Sequence, residues 1–197
     1  MHVLVKNAFK VNDLLVNIDL MVEKGSLNFL VGENGVGKTS LFTYLKIHRE
    51  LLQGSKVVFV DQEKLRPLAD LSVKEVLALI LEEVPGSKNL KECPFCERLQ
   101  IKSLMDKKVS SLSGGENQKL KIALALLMPF DILFMDEPLQ SLDEQSQKKV
   151  ISILEDLSKD KIVLIIEHDT AKYNRSIGRK NVMKRTTGSV EVTHGRT

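Results

Sequence analysis

The chain has no tryptophan, only two tyrosines and two cysteines among its 197 residues, and no long apolar run. Both cysteines fall in one segment, Cys93-Pro94-Phe95-Cys96. That excludes a multi-bridge disulfide framework and suits a reducing compartment. The longest apolar stretch, Ile122 to Phe130, is far below the ~20 residues a membrane span requires. The opening Met1-His2-Val3-Leu4 carries neither a basic flank nor a signal-peptide core. The expectation is a chain neither secreted nor membrane-spanning by itself, hence cytoplasmic. A net charge of +3 is too small to mark a nucleic-acid binder. The charge is uneven, however: Lys172 to Arg185 holds six basic side chains and no acidic one. A solvated face is the plain reading of that stretch, with contact to anionic lipid, RNA or a partner as the sharper alternative.

What is present is 43% hydrophobic and 28% charged residues, the composition of a globular domain that buries its own core. Val16, Ile18, Leu20 and Val22 alternate with polar partners, and Leu27 to Val31 is a short apolar run, so Val3 to Val31 reads as strands. A glycine-rich turn follows, then helical spacing from Thr39 to His48 through Leu41, Phe42 and Leu45. Val57 to Val60 reads as a buried strand. From Leu65 to roughly Val109 the pattern turns helical and polar, an insertion between core strands. Gln118 to Leu127 reads as helix, Ile132 to Met135 as strand, Glu144 to Leu157 as amphipathic helix and Ile162 to Ile166 as strand. The end of the chain reads as strand, Thr187-Gly188 turn, and strand Val190 to Val192. Alternating strands and helices predict an α/β fold with a mainly parallel sheet covered on both faces.

Gly32-Glu33-Asn34-Gly35-Val36-Gly37-Lys38-Thr39 fits the phosphate-loop pattern and lies between a buried strand and a helix, where that pattern belongs. Its glycines let backbone N–H groups wrap phosphate oxygens, and the helix start adds partial positive charge. Lys38 would reach the β- and γ-phosphates of a nucleotide, and the Thr39 hydroxyl would ligate Mg²⁺. Asp136 and Glu137 end an apolar strand, where parallel α/β sheets bind ligands. Asp136 would hold Mg²⁺ through water, and Glu137 would orient or deprotonate an attacking water.

Leu112-Ser113-Gly114-Gly115-Glu116-Asn117-Gln118 precedes a helix and the acidic strand. Ser113 and the Gly114 and Gly115 amides at a helix start form a second anion site, and Ser113 with Glu116 equally suits a capping box. The segment resembles the signature motif of ATP-binding cassette (ABC) proteins, in the family's order. The resemblance covers Val3 to about Val192 and implies a phosphate-loop NTPase of the ABC fold. That fold has a mainly parallel core, an antiparallel β subdomain and a small helical subdomain, here roughly 65–118 of a single domain 1–197. It extends the phosphate-binding set to Ser40. Gln62 looks like the glutamine that contacts Mg²⁺ and water, Ser141-Leu142-Asp143 like the loop that crosses a dimer interface, and His168 like the histidine that contacts the γ-phosphate. Phe9 or Val11 falls nearest the place where the family stacks an aromatic on adenine.

The resemblance implies ATP hydrolysis with Mg²⁺, each ATP enclosed by the phosphate loop of one subunit and the signature of another in a homodimer or heterodimer. A single cassette without a coiled-coil insert favours an ABC transporter subunit, peripheral on the inner face of the cell membrane, with an integral membrane transporter subunit as partner. The alternative is a non-transport ATPase acting on a ribosome or nucleic acid; Glu116 and the Lys172 to Arg185 cluster lean that way. Cys93 and Cys96 read first as packing residues, with a redox pair or half of a shared zinc site as alternatives.

Overall fold

The computed structural model describes residues 3–11, 14–52, 54–63, 65–86, 93–186 and 189–196. Among them are strands β1 (Val3–Val11), β2 (Leu14–Val22), β3 (Leu27–Gly32), β4 (Val57–Val60), β5 (Ile132–Asp136), β6 (Ile162–Glu167), β7 (Ile177–Thr186) and β8 (Ser189–Arg196). The helices are α1 (Lys38–Ile47), α2 (Val73–Glu83), α3 (Pro94–Arg98), α4 (Gly114–Leu127) and α5 (Glu144–Ser158). The described strands form one eight-stranded sheet in the order β1-β2-β8-β7-β3-β6-β5-β4. β3 runs parallel to β6 and β7, β5 to β6, and β2 to β8, while β1/β2 and β7/β8 are antiparallel. The expected Thr187-Gly188 turn lies outside the described residues, as do the side chains of Phe9 and Val11.

The chain divides into two compact units, one of residues 1–59, 131–137 and 154–197, the other of residues 60–130 and 138–153. The first unit holds the sheet apart from the last residue of β4. β3, β5 and β6 are near-continuous runs of apolar residues because both their faces are buried. One set of alternate residues, Leu30, Ile132, Phe134, Ile162, Leu164 and Ile166, joins Leu41, Phe42 and Leu45 of α1 and the inward residues of β2 and β8 in one core. Phe59 of β4 stacks on Phe134 at 5.1 Å and meets Phe42 edge-on at 5.2 Å, filling the space under α1. The other set, with Phe29, Leu133, Met135, Val163 and Ile165, is equally buried on the opposite face.

Two buried asparagines fasten strands that the apolar pattern alone leaves unregistered. Asn28 accepts from the Glu23 N–H and donates to the carbonyls of Glu23 and Val163 at 2.9 to 3.0 Å. Asn181 bonds both backbone groups of Met21 and donates to the Phe29 carbonyl. One part of the basic stretch departs from a solvated face. Arg179 is buried, its Nε donating to Glu23 at 3.0 Å, because the β7 register turns it inward and a buried guanidinium requires a carboxylate.

In the second unit α4 starts at Gly114, earlier than its apolar pattern suggests. A capping box satisfies the Ser113 and Glu116 amides, so polar Glu116 and Asn117 already belong to the helix. α2 begins with the same device, Ser72 paired with Glu75. α4 is buried almost all round from Leu120 to Leu127, and α2 and α3 pack against it.

Candidate nucleotide-binding site

The first unit builds its site at the carboxyl ends of parallel strands. Gly32, the last residue of β3, is held so close to β7 that a Cβ there would lie 2.5 Å from the Met183 carbonyl oxygen. Any side chain would push the loop off the sheet. The next four residues turn over to Gly37, the N-cap of α1, at φ 110, a conformation open to glycine at no steric cost. α1 has no side-chain cap and no acidic residue in its first turn. Its leading amides and the positive end of its dipole are therefore available to an anion. Glu33, Asn34, Gly35, Thr39 and Ser40 are exposed along this loop and turn, and Val36 anchors it in the core.

Lys38 is buried beside the loop, its Nζ donating to the carbonyls of Gly32 at 2.8 Å and Glu33 at 3.0 Å, and 3.1 Å from His168 Nδ1. Burial lowers its pKa, opposed by the negative charges of Glu137, Asp136 and Glu167. Thr39 Oγ1 donates to Asp136 Oδ2 at 3.0 Å. Glu137 stands at φ 48, an uncommon backbone conformation for a side chain of this size. Its N–H donates to the Ile166 carbonyl at 3.0 Å, and its Oε1 lies 2.9 Å from His168 Nε2. A neutral imidazole with its proton on Nε2 satisfies both neighbours, accepting from the Lys38 ammonium and donating to the Glu137 carboxylate. Lys38, Thr39, Asp136, Glu137 and His168, scattered through the sequence, thus form one cluster.

Two residues beside this cluster carry no motif. Glu167, immediately before His168, accepts from the Tyr173 hydroxyl at 2.9 Å. Burial pushes its carboxyl up to about 7; the bond from Tyr173 opposes this and the nearby Glu137 charge adds to it. Glu167 stood at a strand end and Tyr173 in a basic stretch, so nothing local marked either.

The second unit holds Gln62, Ser113, Gly114, Gly115 and Asp143. Gln62 is exposed in the bend after β4. The preceding Asp61 carbonyl accepts from the buried Lys121 of α4 at 2.6 Å, which fastens that bend. Ser113 caps α4: its Oγ accepts from the Glu116 N–H at 3.2 Å, and Glu116 accepts from the Ser113 N–H at 2.9 Å. Lys107 also pairs with Glu116 at 2.7 Å and holds its carboxyl below the usual range. Gly115 faces the Ser141 carbonyl so closely that a Cβ would lie 2.8 Å from it. Asp143 caps α5, accepting from the Ser146 N–H and hydroxyl, which lowers its pKa. Cys93 and Cys96 are not joined in a disulfide and are both buried, with sulfurs 2.9 Å apart. The Cys93 thiol beside it, together with burial, pushes the Cys96 thiol far up. Among the described residues no group of three or more His, Cys, Asp or Glu side chains is placed to hold a metal ion, and no helix is long and apolar enough to cross a membrane.

A phosphate loop, an acidic strand end and a histidine on adjacent parallel strands define a nucleotide-binding α/β cassette. The ABC transporter family model matches residues 15–140, and the chain belongs to that family. Among curated relatives, the zinc import ATP-binding protein ZnuC of Marinobacter nauticus is 32% identical over 174 residues, covering 82% of this chain and 65% of the relative. Its namesake in Rickettsia bellii is 32% identical over 165 residues, covering 78% and 69%. The chain therefore spans about two thirds of the length of these relatives. Among solved structures, RNase-L inhibitor superposes with a TM-score of 0.75 at 25% identity, over 96% of this chain and 38% of that one. A dimeric post-hydrolysis state of an ATP-binding cassette with ADP and Pi gives 0.74 at 21%, over 100% and 98%, a likeness of fold alone.

Proposed function

We propose that the chain binds ATP with Mg²⁺ and hydrolyses it as the ATP-binding subunit of a transporter whose membrane helices belong to a separate protein. The observation that carries this reading is the run Lys38–His168–Glu137 beside the Thr39–Asp136 pair. The loop amides and the α1 start would bind the phosphates, and Lys38, already beside them, would exchange its carbonyl partners for phosphate oxygens. Glu137 would take hydrogen bonds from the attacking water, and His168 would hold that carboxylate in place while facing the γ-phosphate. The Thr39 hydroxyl and Asp136 carboxylate are hard oxygen donors already within hydrogen-bond distance, a set that fits Mg²⁺. When bound, the ion would neutralise phosphate charge. For Gln62 a role toward the ion rests on the resemblance alone.

Ser113 with the Gly114 and Gly115 amides offers an anion site at a capped helix start, and with Asp143 it would serve the nucleotide of a second cassette, equal or related. Pairing would then require both γ-phosphates, and hydrolysis would reopen the pair and move the membrane partner. The zinc-import relatives make metal-ion uptake the transport class to test first. The ribosome or nucleic-acid reading is supported by the exposed Lys184 and Arg185. Purification from native membranes decides between them: co-purification of an integral membrane protein supports the transporter reading, and co-purification of ribosomes or nucleic acid in its place refutes it.

A further inference from the structure

We propose that Tyr173 is a positioning residue for hydrolysis: its hydroxyl holds the Glu167 side chain, and with it the end of β6, so that His168 spans Lys38 and Glu137. This rests on the catalytic reading of Lys38, Glu137 and His168 given above.

His168 lies one residue beyond the end of β6, so its direction is set from its flanks. On one flank Glu167 is in register with Val31 of β3, next to the phosphate loop. On the other the backbone folds back, with Ala171 N donating to Asp169 Oδ1 at 2.8 Å and Tyr173 N to the Thr170 carbonyl at 3.0 Å. The Tyr173 ring is 1% exposed and meets Phe29 of β3 edge-on at 4.9 Å. Tyr173 and Glu167, six positions apart, are thus each fixed to β3, and the hydroxyl-to-carboxyl bond closes the loop between them around His168.

Packing explains the ring but not the polar pair. A phenylalanine would fill the space against Phe29, and an apolar residue at 167 would avoid both desolvation of a carboxyl and its proximity to the Glu137 charge. A group that is unfavourable for stability and stands next to a reacting cluster points to function.

The test compares Tyr173→Phe, His168→Ala and the double variant in steady-state ATP hydrolysis, at protein concentrations that saturate pairing. Tyr173→Phe should lower kcat about fivefold, the worth of one oriented hydrogen bond, with KM for ATP moved less than about twofold. The double variant should be no slower than His168→Ala. In ¹³C,¹⁵N-histidine-labelled protein, the ring signals of His168, identified by their loss in His168→Ala, should shift in Tyr173→Phe. Wild-type kcat with unmoved signals overturns the proposal, and so does an equal loss in the His168→Ala background, which would make Tyr173 a packing residue. Wild-type hydrolysis by His168→Ala would instead sink the catalytic reading itself. Should Tyr173→Phe fail to fold, Glu167→Leu removes the acceptor from the other side: shifted His168 signals support the proposal and unmoved ones overturn it.

Discussion

Lys38 Nζ stands 3.1 Å from His168 Nδ1 across 130 positions of sequence, and the other nitrogen of that ring lies 2.9 Å from Glu137 Oε1. One imidazole therefore joins the cation expected to hold phosphate to the carboxylate expected to hold water. Lys38→Ala removes the only side-chain cation that the phosphate loop places against its ligand. ATP affinity measured by calorimetry should fall about a hundredfold or more. Unchanged affinity would show that the loop does not bind the nucleotide.

Glu137→Gln keeps an oxygen that can accept from His168 Nε2 and removes the charge that polarises water. Hydrolysis should stop while binding persists, so ATP with Mg²⁺ should convert the variant into a stable dimer by size-exclusion chromatography with light scattering. The wild type should pair only transiently. Adding Ser113→Arg should abolish the dimer by crowding the capped start of α4. A variant that stays folded, nucleotide-bound and monomeric would mean that the signature does not act across an interface or that pairing needs the membrane partner, which repeating the measurement with that partner separates.

The Glu167 carboxyl has an ordinary pKa of 4.5 and is pushed up to about 7 in the fold, chiefly by burial, with Glu137 raising it and Tyr173 and Lys172 opposing. Between those values the unfolded chain has released a proton that the folded chain retains. Stability should therefore fall as pH rises from about 4.5 to 7, and this contribution should be flat on either side. Glu167→Gln does not titrate, so its stability relative to wild type should rise across that window with a slope of at most about one proton. Denaturant midpoints measured from pH 4.5 to 8 read this directly, and parallel curves would contradict the buried carboxyl.

Cys93→Ser with Cys96→Ser should keep ATP hydrolysis. The two sulfurs are buried against each other at 2.9 Å, and two hydroxyls can bond in the same place, so the loss should be about 1–2 kcal/mol of stability. Stoichiometric zinc in the purified protein, lost together with activity in the double variant, would overturn this.

Much of the site was legible because its signals are local. A glycine loop between an apolar strand and a helix needs only short-range order to be recognised, and Asp136 and Glu137 end a run of apolar residues that buries itself in a parallel sheet, whereas His168 is marked only by the family resemblance. Their common location follows from the sheet: β3, β5 and β6 are parallel, so residues just past their carboxyl ends share one edge.

What the amino-acid sequence determined by itself was the set of elements and the chemistry at their ends, since periodicity, glycine loops and acidic strand ends are properties of a few neighbouring residues. What only the tertiary structure decided was which side chains those ends face. The parallel pairing of β2 with β8, the inward turn of Arg179 toward Glu23 and the bond from Tyr173 to Glu167 all depend on strand register. Register is set by packing and buried hydrogen bonds between segments distant in sequence. A lysine, a histidine and a glutamate become one hydrogen-bonded run only when three parallel strands align their ends.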